Sequence, residues 1–171
     1  MLTDLDLTDC ELTELSTAIG SLDQLQSLRA QRNQINTISP EITKLQQLRS
    51  LQLPGNQLPR LDAAVCELTR LEVLDLSRNE LTALPLEIGQ LQNLKKLELS
   101  NNAFTALPAQ IGQLQQLERL TIGDNQLTSL PVSLANLPNL QQIFVDRNPL
   151  PEHILAAAKR SPQALFDALA G

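Results

Sequence analysis

Tryptophan and tyrosine are absent from the sequence, and phenylalanine occurs only at Phe104, Phe144 and Phe166. An interior without large aromatics must be filled by many similar aliphatic side chains, which suits a layered or repetitive core. The same scarcity removes the ring platforms on which single-stranded nucleic acid stacks. Histidine occurs once, at His153, so a histidine-based metal site or a Ser/His/Asp arrangement has nothing further to build from. His153 is expected on the surface. The two cysteines, Cys10 and Cys66, fall at different places in the pattern and do not make a disulfide framework, which fits a reducing compartment. No apolar run approaches the roughly 18 residues that span a bilayer, and no basic start leads into an apolar segment. These absences point to a cytoplasmic protein that does not engage membranes, with a secreted effector as the alternative. Phosphate-cradling G-x-x-x-x-G-K-[ST] and G-x-G-x-x-G segments are also missing.

Bases are absent from residues 1–24, which hold Asp4, Asp6, Asp9, Glu11, Glu14 and Asp23 and so account for the whole net charge of -6. From Leu25 onward acids and bases balance. No continuous basic stripe is left to neutralise phosphates, which argues against nucleic acid as a partner.

What the chain has in abundance is leucine at fixed spacing. Asn33, Asn56, Asn79, Asn102, Asn125 and Asn148 follow one another at intervals of 23 residues, and Cys10 stands one period before the first. Each asparagine closes the phrase L-x-x-L-x-L-x-x-N, as in Leu71, Leu74, Leu76 and Asn79. An apolar residue two places on (Leu81, Phe104, Leu127), then L-P, Ile and Leu complete the unit. Seven units begin at Leu2, Leu25, Leu48, Leu71, Leu94, Leu117 and Leu140. The period of two in x-L-x-L makes a short strand with one buried face. Stacked in parallel about 4.8 Å apart, seven such strands give a sheet on the order of 30 Å across. Leu-Pro followed by Ile-Gly suits an irregular or 3₁₀ return.

This pattern resembles the leucine-rich repeat over essentially the whole chain, and L-P-x-x-I-G-x-L is most similar to the 23-residue Ras-group type, common in bacterial proteins. The resemblance implies an α/β solenoid: a short horseshoe arc with a concave parallel β-sheet, an irregular or 3₁₀ convex side and a C-terminal helical cap. The repeat array is expected over residues 1–150 and the cap over 151–171. The segment "ILAAAKRSPQALFDALA" reads as two short helices, with Ser161 and Pro162 starting the second and Leu165 and Leu169 on its apolar stripe. It also resembles the segment that closes the repeats in Roco-type GTPases, which would make the array the regulatory part of a larger GTPase or signalling protein. At the other end Leu2, Leu5 and Leu7 would border an open edge. The acid cluster there would discourage edge-to-edge pairing or offer an acidic docking patch.

A buried amide beside a turning backbone can donate twice and accept twice. The asparagine ladder is therefore structural, and Asn102→Ala is expected to cost roughly 1–3 kcal/mol. Cys10 takes an interior asparagine slot, and Cys66 the slot of Gly89 and Gly112. Neither has a local base to lower its pKa. In leucine-rich bacterial effectors that carry a cysteine-dependent ubiquitin ligase, that activity resides in a separate helical domain. No catalytic residue, metal or cofactor emerges, and Asp75 with Glu98 reads as a solvated acidic strip.

The concave wall remains. One outward column runs Asp4, Ser27, Ser50, Val73, Lys96, Arg119, Gln142, and its neighbour runs Asp6, Arg29, Gln52, Asp75, Glu98, Thr121, Phe144. The repeat constrains none of these. The candidate protein-binding residues are Arg49, Gln52, Val73, Asp75, Lys96, Glu98, Arg119, Thr121 and Phe144, with Phe144 either an anchor or packed against the cap. The expectation is a non-enzymatic module, monomeric, that binds another protein.

Overall fold

The computed structural model of the chain describes residues 1–170. Three-residue strands recur at the central x-L-x of each unit. They are β1 Asp4–Asp6, β3 Ser27–Arg29, β5 Ser50–Gln52, β6 Val73–Asp75, β7 Lys96–Glu98, β8 Arg119–Thr121 and β9 Gln142–Phe144. They form one seven-stranded parallel sheet in the order β1-β3-β5-β6-β7-β8-β9. Each residue pairs with the one a full repeat away, as Leu74 with Leu97 and Leu97 with Leu120. A second, two-stranded sheet joins β2 Glu14–Leu15 to β4 Thr37–Ile38.

The expected 3₁₀ return is present as six short helices: Thr17–Ser21, Pro40–Lys44, Ala63–Glu67, Leu86–Gln90, Ala109–Gln113 and Val132–Asn136. Pro85, Pro108 and Pro131 stand immediately before the last three, with φ of -65°, -69° and -68°, the value their rings impose. The second and third units use a side chain: Ser39 Oγ and Asp62 Oδ1 accept from the amides of Glu41 and Ala64. The returns stack closely. A Cβ on Gly112 would lie 2.3 Å from the Ser133 carbonyl oxygen, so glycine is required there.

Every turn out of the main sheet uses a left-handed residue just ahead of the asparagine slot: Asp9, Arg32, Gly55, Arg78, Asn101, Asp124 and Arg147. Only one of these is glycine. The others carry the left-handed penalty of about 1 kcal/mol each, and all but Arg147, in the last unit, have their amides bonded to the next coil, as Arg78 N–H to Ser100 O at 2.8 Å.

The leucines that face inward from strand and return are fully buried, among them Leu28, Leu51, Leu74, Leu97 and Leu120, and Phe104 joins them. Asn79 Nδ2 donates to Leu53 O and Leu76 O, both at 3.0 Å, while its Oδ1 accepts from Leu58 N–H at 3.1 Å. Each ladder amide thus ties its own coil to the preceding one. Cys10 departs from the expectation of an interior slot: its thiol is exposed, because no coil stacks against the outer side of the first unit in the structure. Cys66 is buried, and the loss of solvation, with Glu87 and Asp62 nearby, pushes its thiol up to about 12.

Beyond the last unit lie α1 Glu152–Arg160 and α2 Pro162–Ala170. Ser161 Oγ accepts from Ala164 N–H at 3.0 Å, the anticipated cap. Ile154 of α1 and Leu165 of α2 are buried against the terminal coil, with Leu169 and Phe166 partly so. Residue 171, the last of the expected cap segment, lies outside the described residues. No helix among the described residues is long and apolar enough to cross a membrane.

Candidate protein-binding face

Strand alternation turns the leucines inward and leaves the flanking residues on the open face of the sheet. Lys96 and Phe144 are exposed there, and Gln52, Val73, Asp75, Glu98 and Arg119 are half-buried. Val73, Lys96 and Arg119 stand directly beside one another in register, as do Gln52, Asp75 and Glu98. Arg49 lies one residue before β5 and so flanks the face.

Thr121 corrects the expectation. It is only 5% exposed, and its hydroxyl donates to the Glu98 carboxylate, so the side chain is spent within the sheet. The neighbouring strands crowd a short β-branched residue flanked by longer side chains. Asp75 and Glu98 are likewise engaged and form no free acidic strip. Asp75 Oδ1 accepts from Ser77 N–H at 3.0 Å and from its hydroxyl at 2.7 Å, closing the turn that follows the strand. Glu98 Oε1 lies 3.1 Å from Arg119 Nε.

Arg119 is the most connected group on the face. Its Nη1 donates to Gln142 Oε1 at 3.0 Å, and its guanidinium carbon stands 4.9 Å from the centroid of the Phe144 ring. Phe144 is 43% exposed and backed by that guanidinium. It is not covered by the cap, but lines a cleft between β9 and the junction of the two helices. Lys96 has no ion-pair partner among the described residues.

Of one polar column, only Arg49 is among the residues expected on the binding face. Arg49, Glu72 and Lys95 follow at the repeat spacing just ahead of the strands, and the Glu72 carboxylate holds both bases, Lys95 Nζ at 2.8 Å and Arg49 Nη1 at 2.5 Å. These bonds, Lys95 first and Arg49 second, keep the Glu72 carboxyl below its usual value. The signal available in the sequence was alternation of charge sign every 23 residues through Arg49, Glu72, Lys95 and Glu118. A second such column pairs Arg32 with Asp9 at 2.6 Å and Arg147 with Asp124 at 3.1 Å. No group of three or more His, Cys, Asp or Glu side chains converges as metal ligands among the described residues.

A parallel sheet of identical short strands, 3₁₀ returns, an asparagine ladder and a helical end together define a solenoid repeat protein, a class whose open face is a general recognition surface. A family model described as a leucine-rich repeat region matches residues 60–149. The chain belongs to the leucine-rich repeat family. It is similar to a leucine-rich repeat protein of Leptospira interrogans, with 39% identity, a TM-score of 0.79, and coverage of 90% of this chain and 40% of that one. It is also similar to internalin C2 of Listeria monocytogenes, at 28% identity and a TM-score of 0.80, over 91% of this chain and 66% of that one. For the Listeria internalin InlF the identity is 26% and the TM-score 0.71, over 85% of this chain and 42% of that one. The chain thus spans less than half the length of the Leptospira and InlF relatives. No curated protein matches it.

Proposed function

We propose that the chain binds another protein through the open face of its sheet, across Arg49, Gln52, Val73, Asp75, Lys96, Glu98, Arg119 and Phe144. The observation that carries this reading is Phe144. An aromatic side chain on a solvent-facing strand position is 43% exposed, and an arginine is laid against its ring. Aromatic and arginine side chains dominate the energetics of interfaces, because they bury large area at modest entropic cost. Lys96, exposed and without an ion-pair partner among the described residues, supplies a charge for registering the partner. Thr121 no longer belongs to the contact set. It holds Glu98 in place from the neighbouring strand.

The test is photo-crosslinking in cells, with the crosslinker at Gln142 on the face or at Gln90 on the opposite side. An adduct from position 142 that disappears with Phe144→Ala and Lys96→Glu supports the reading. Adducts from position 90 alone overturn it.

A second reading, that the array regulates a larger Roco-like GTPase or signalling protein, is favoured by the two-helix end, where the Pro151-Glu152 start and the later Ala164-Leu165 carry the likeness. The complete open reading frame tests it: a phosphate-binding loop encoded downstream supports it, and its absence ends it.

A further inference from the structure

The sheet ends at β9, which pairs only with β8. In the preceding coil, every backbone group turned toward β9 has a partner. Glu118 O accepts from Gln142 N–H at 3.0 Å, Ile122 N–H donates to Phe144 O at 2.8 Å, and Asp124 N–H donates to Asp146 O at 2.9 Å. One repeat later the equivalent groups are Gln141 O, Val145 N–H and Arg147 N–H, and no backbone group of the described residues meets them. A row of unpaired main-chain groups is a template for a further strand.

The terminal helices do not close this edge. Ile154, Ala158 and Leu165 cover the hydrophobic interior of the last coil, while a cleft of about 430 Å³ is left between residues 141–146 and residues 158–162. Along β9 the side chains of Ile143 and Val145 point into the core, so what the cleft offers is the strand's backbone, with Phe144 at its mouth. From residue 141 to residue 145 the edge is about 13 Å long at the rise of an extended chain, and beyond it the chain turns at Arg147, whose φ is 56°.

Charge identifies the occupant. The cleft is lined by Lys159, Arg160 and one acid, Asp146, which lies 3.7 Å from Lys159 Nζ. Arg160 has no ion-pair partner among the described residues, and Arg147 beside the edge is 80% exposed. A whole coil of a second copy would need the space over the core that α1 and α2 occupy, whereas one extended segment fits between β9 and the helix junction. We propose that this edge takes an acidic extended peptide of another protein. It adds as a further strand beside β9, bonded through its main chain to Gln141 O, Val145 N–H and Arg147 N–H, with a carboxylate directed to Arg160. Main-chain bonds to unpaired edge groups supply affinity in this mode, and the flanking charges supply selection. The opposite edge, β1, carries Asp4 and Asp6 and repels such a peptide.

The probe is a fluorescein-labelled heptapeptide of alternating Glu and Val, titrated into the intact chain. Fluorescence anisotropy reads affinity, and amide hydrogen exchange reads the place. At saturation the Val145 and Arg147 amides are expected to exchange about tenfold more slowly, while Thr3 and Asp4 on the β1 edge do not change. Arg160→Glu, at an exposed position where the fold is checked by circular dichroism, is expected to weaken the peptide about tenfold. Of two peptides N-methylated at alternate residues, one loses binding and the other keeps it, because only one set of amides faces β9. The proposal fails if binding leaves Val145 and Arg147 unprotected, or if both N-methylated peptides bind alike. It also fails if those amides become protected with rising protein concentration and no peptide, which would make a second copy the occupant. Lys96→Glu on the sheet face leaves peptide affinity unchanged, so this outcome is independent of the open-face reading; an equal loss there would move the site off the edge.

Discussion

The guanidinium carbon of Arg119 stands 4.9 Å from the centroid of the Phe144 ring, on the neighbouring strand. Register brings them together, since Thr121, two residues from Arg119, sits opposite Phe144 and the long arginine side chain reaches diagonally across. At such an exposed site a cation–π contact is worth about 0.5–1 kcal/mol. Arg119→Ala, Phe144→Ala and the double variant, unfolded in urea, are expected to show a coupling of that size. Strict additivity would mean that the ring and the guanidinium share a location without interacting.

Replacement of Asn102 by Ala removes two bonds from Nδ2, to Leu76 O and Leu99 O at 3.0 Å each, and the acceptor of Leu81 N–H at 3.0 Å. Three backbone groups then lose a partner between stacked coils. The expected destabilisation is roughly 1–3 kcal/mol, read from the chemical denaturation midpoint at unchanged slope. A change under about 0.5 kcal/mol would mean that water replaces the amide.

The two thiols should separate cleanly. Thiolate is the reactive form; Cys10 is exposed, whereas Cys66 is buried and its thiol is pushed up to about 12. One thiol per chain is therefore expected to react with Ellman's reagent under native conditions at pH 8, and the second only in denaturant. Two fast thiols in the native protein would contradict the burial of the Cys66 return.

Acid should release the Arg49–Glu72–Lys95 column. The folded Glu72 carboxyl titrates below its usual 4.5, so its contribution is present above that pH and is lost as pH falls through the lower folded value. Lys95, raised above its usual 10.5 chiefly by the hydrogen bond to Glu72, contributes below that pH and is released as pH rises through the higher folded value. Such solvent-exposed pairs stabilise weakly, and the effect shrinks in salt. Glu72→Gln is expected to flatten the fall in stability below pH 4.5 at low ionic strength. An identical acid profile in wild type and variant would show that the column contributes nothing measurable.

Legibility in the sequence followed the strength of constraint. Buried leucines, ladder asparagines and the prolines ahead of the last three returns each answer to one geometric demand that recurs every 23 residues, so their roles are legible in the spacing, while the cap at Ser161 is legible from the local Ser-Pro pair. Outward residues answer to no such demand. Their identities were visible, but not which of them would be consumed by neighbours. Thr121 stands in an outward column of the sequence, yet it is covered by longer side chains and bonded to Glu98. The spacing puts Cys10 in a slot that later units bury, whereas in this structure its thiol is exposed.

The sequence by itself determined the solenoid, its register and its core, because a period shared by every coil can be satisfied only by stacking like on like. Tertiary structure alone decided which polar side chains remain free. That depends on contacts between residues a full repeat apart and on how far each side chain reaches: Glu98 takes up Thr121 and Arg119, Glu72 takes up Arg49 and Lys95, and Lys96 and Phe144 are left to solvent. The open edge of β9 belongs to the same class, since the angle at which α1 and α2 cross the last coil decides whether that strand is covered.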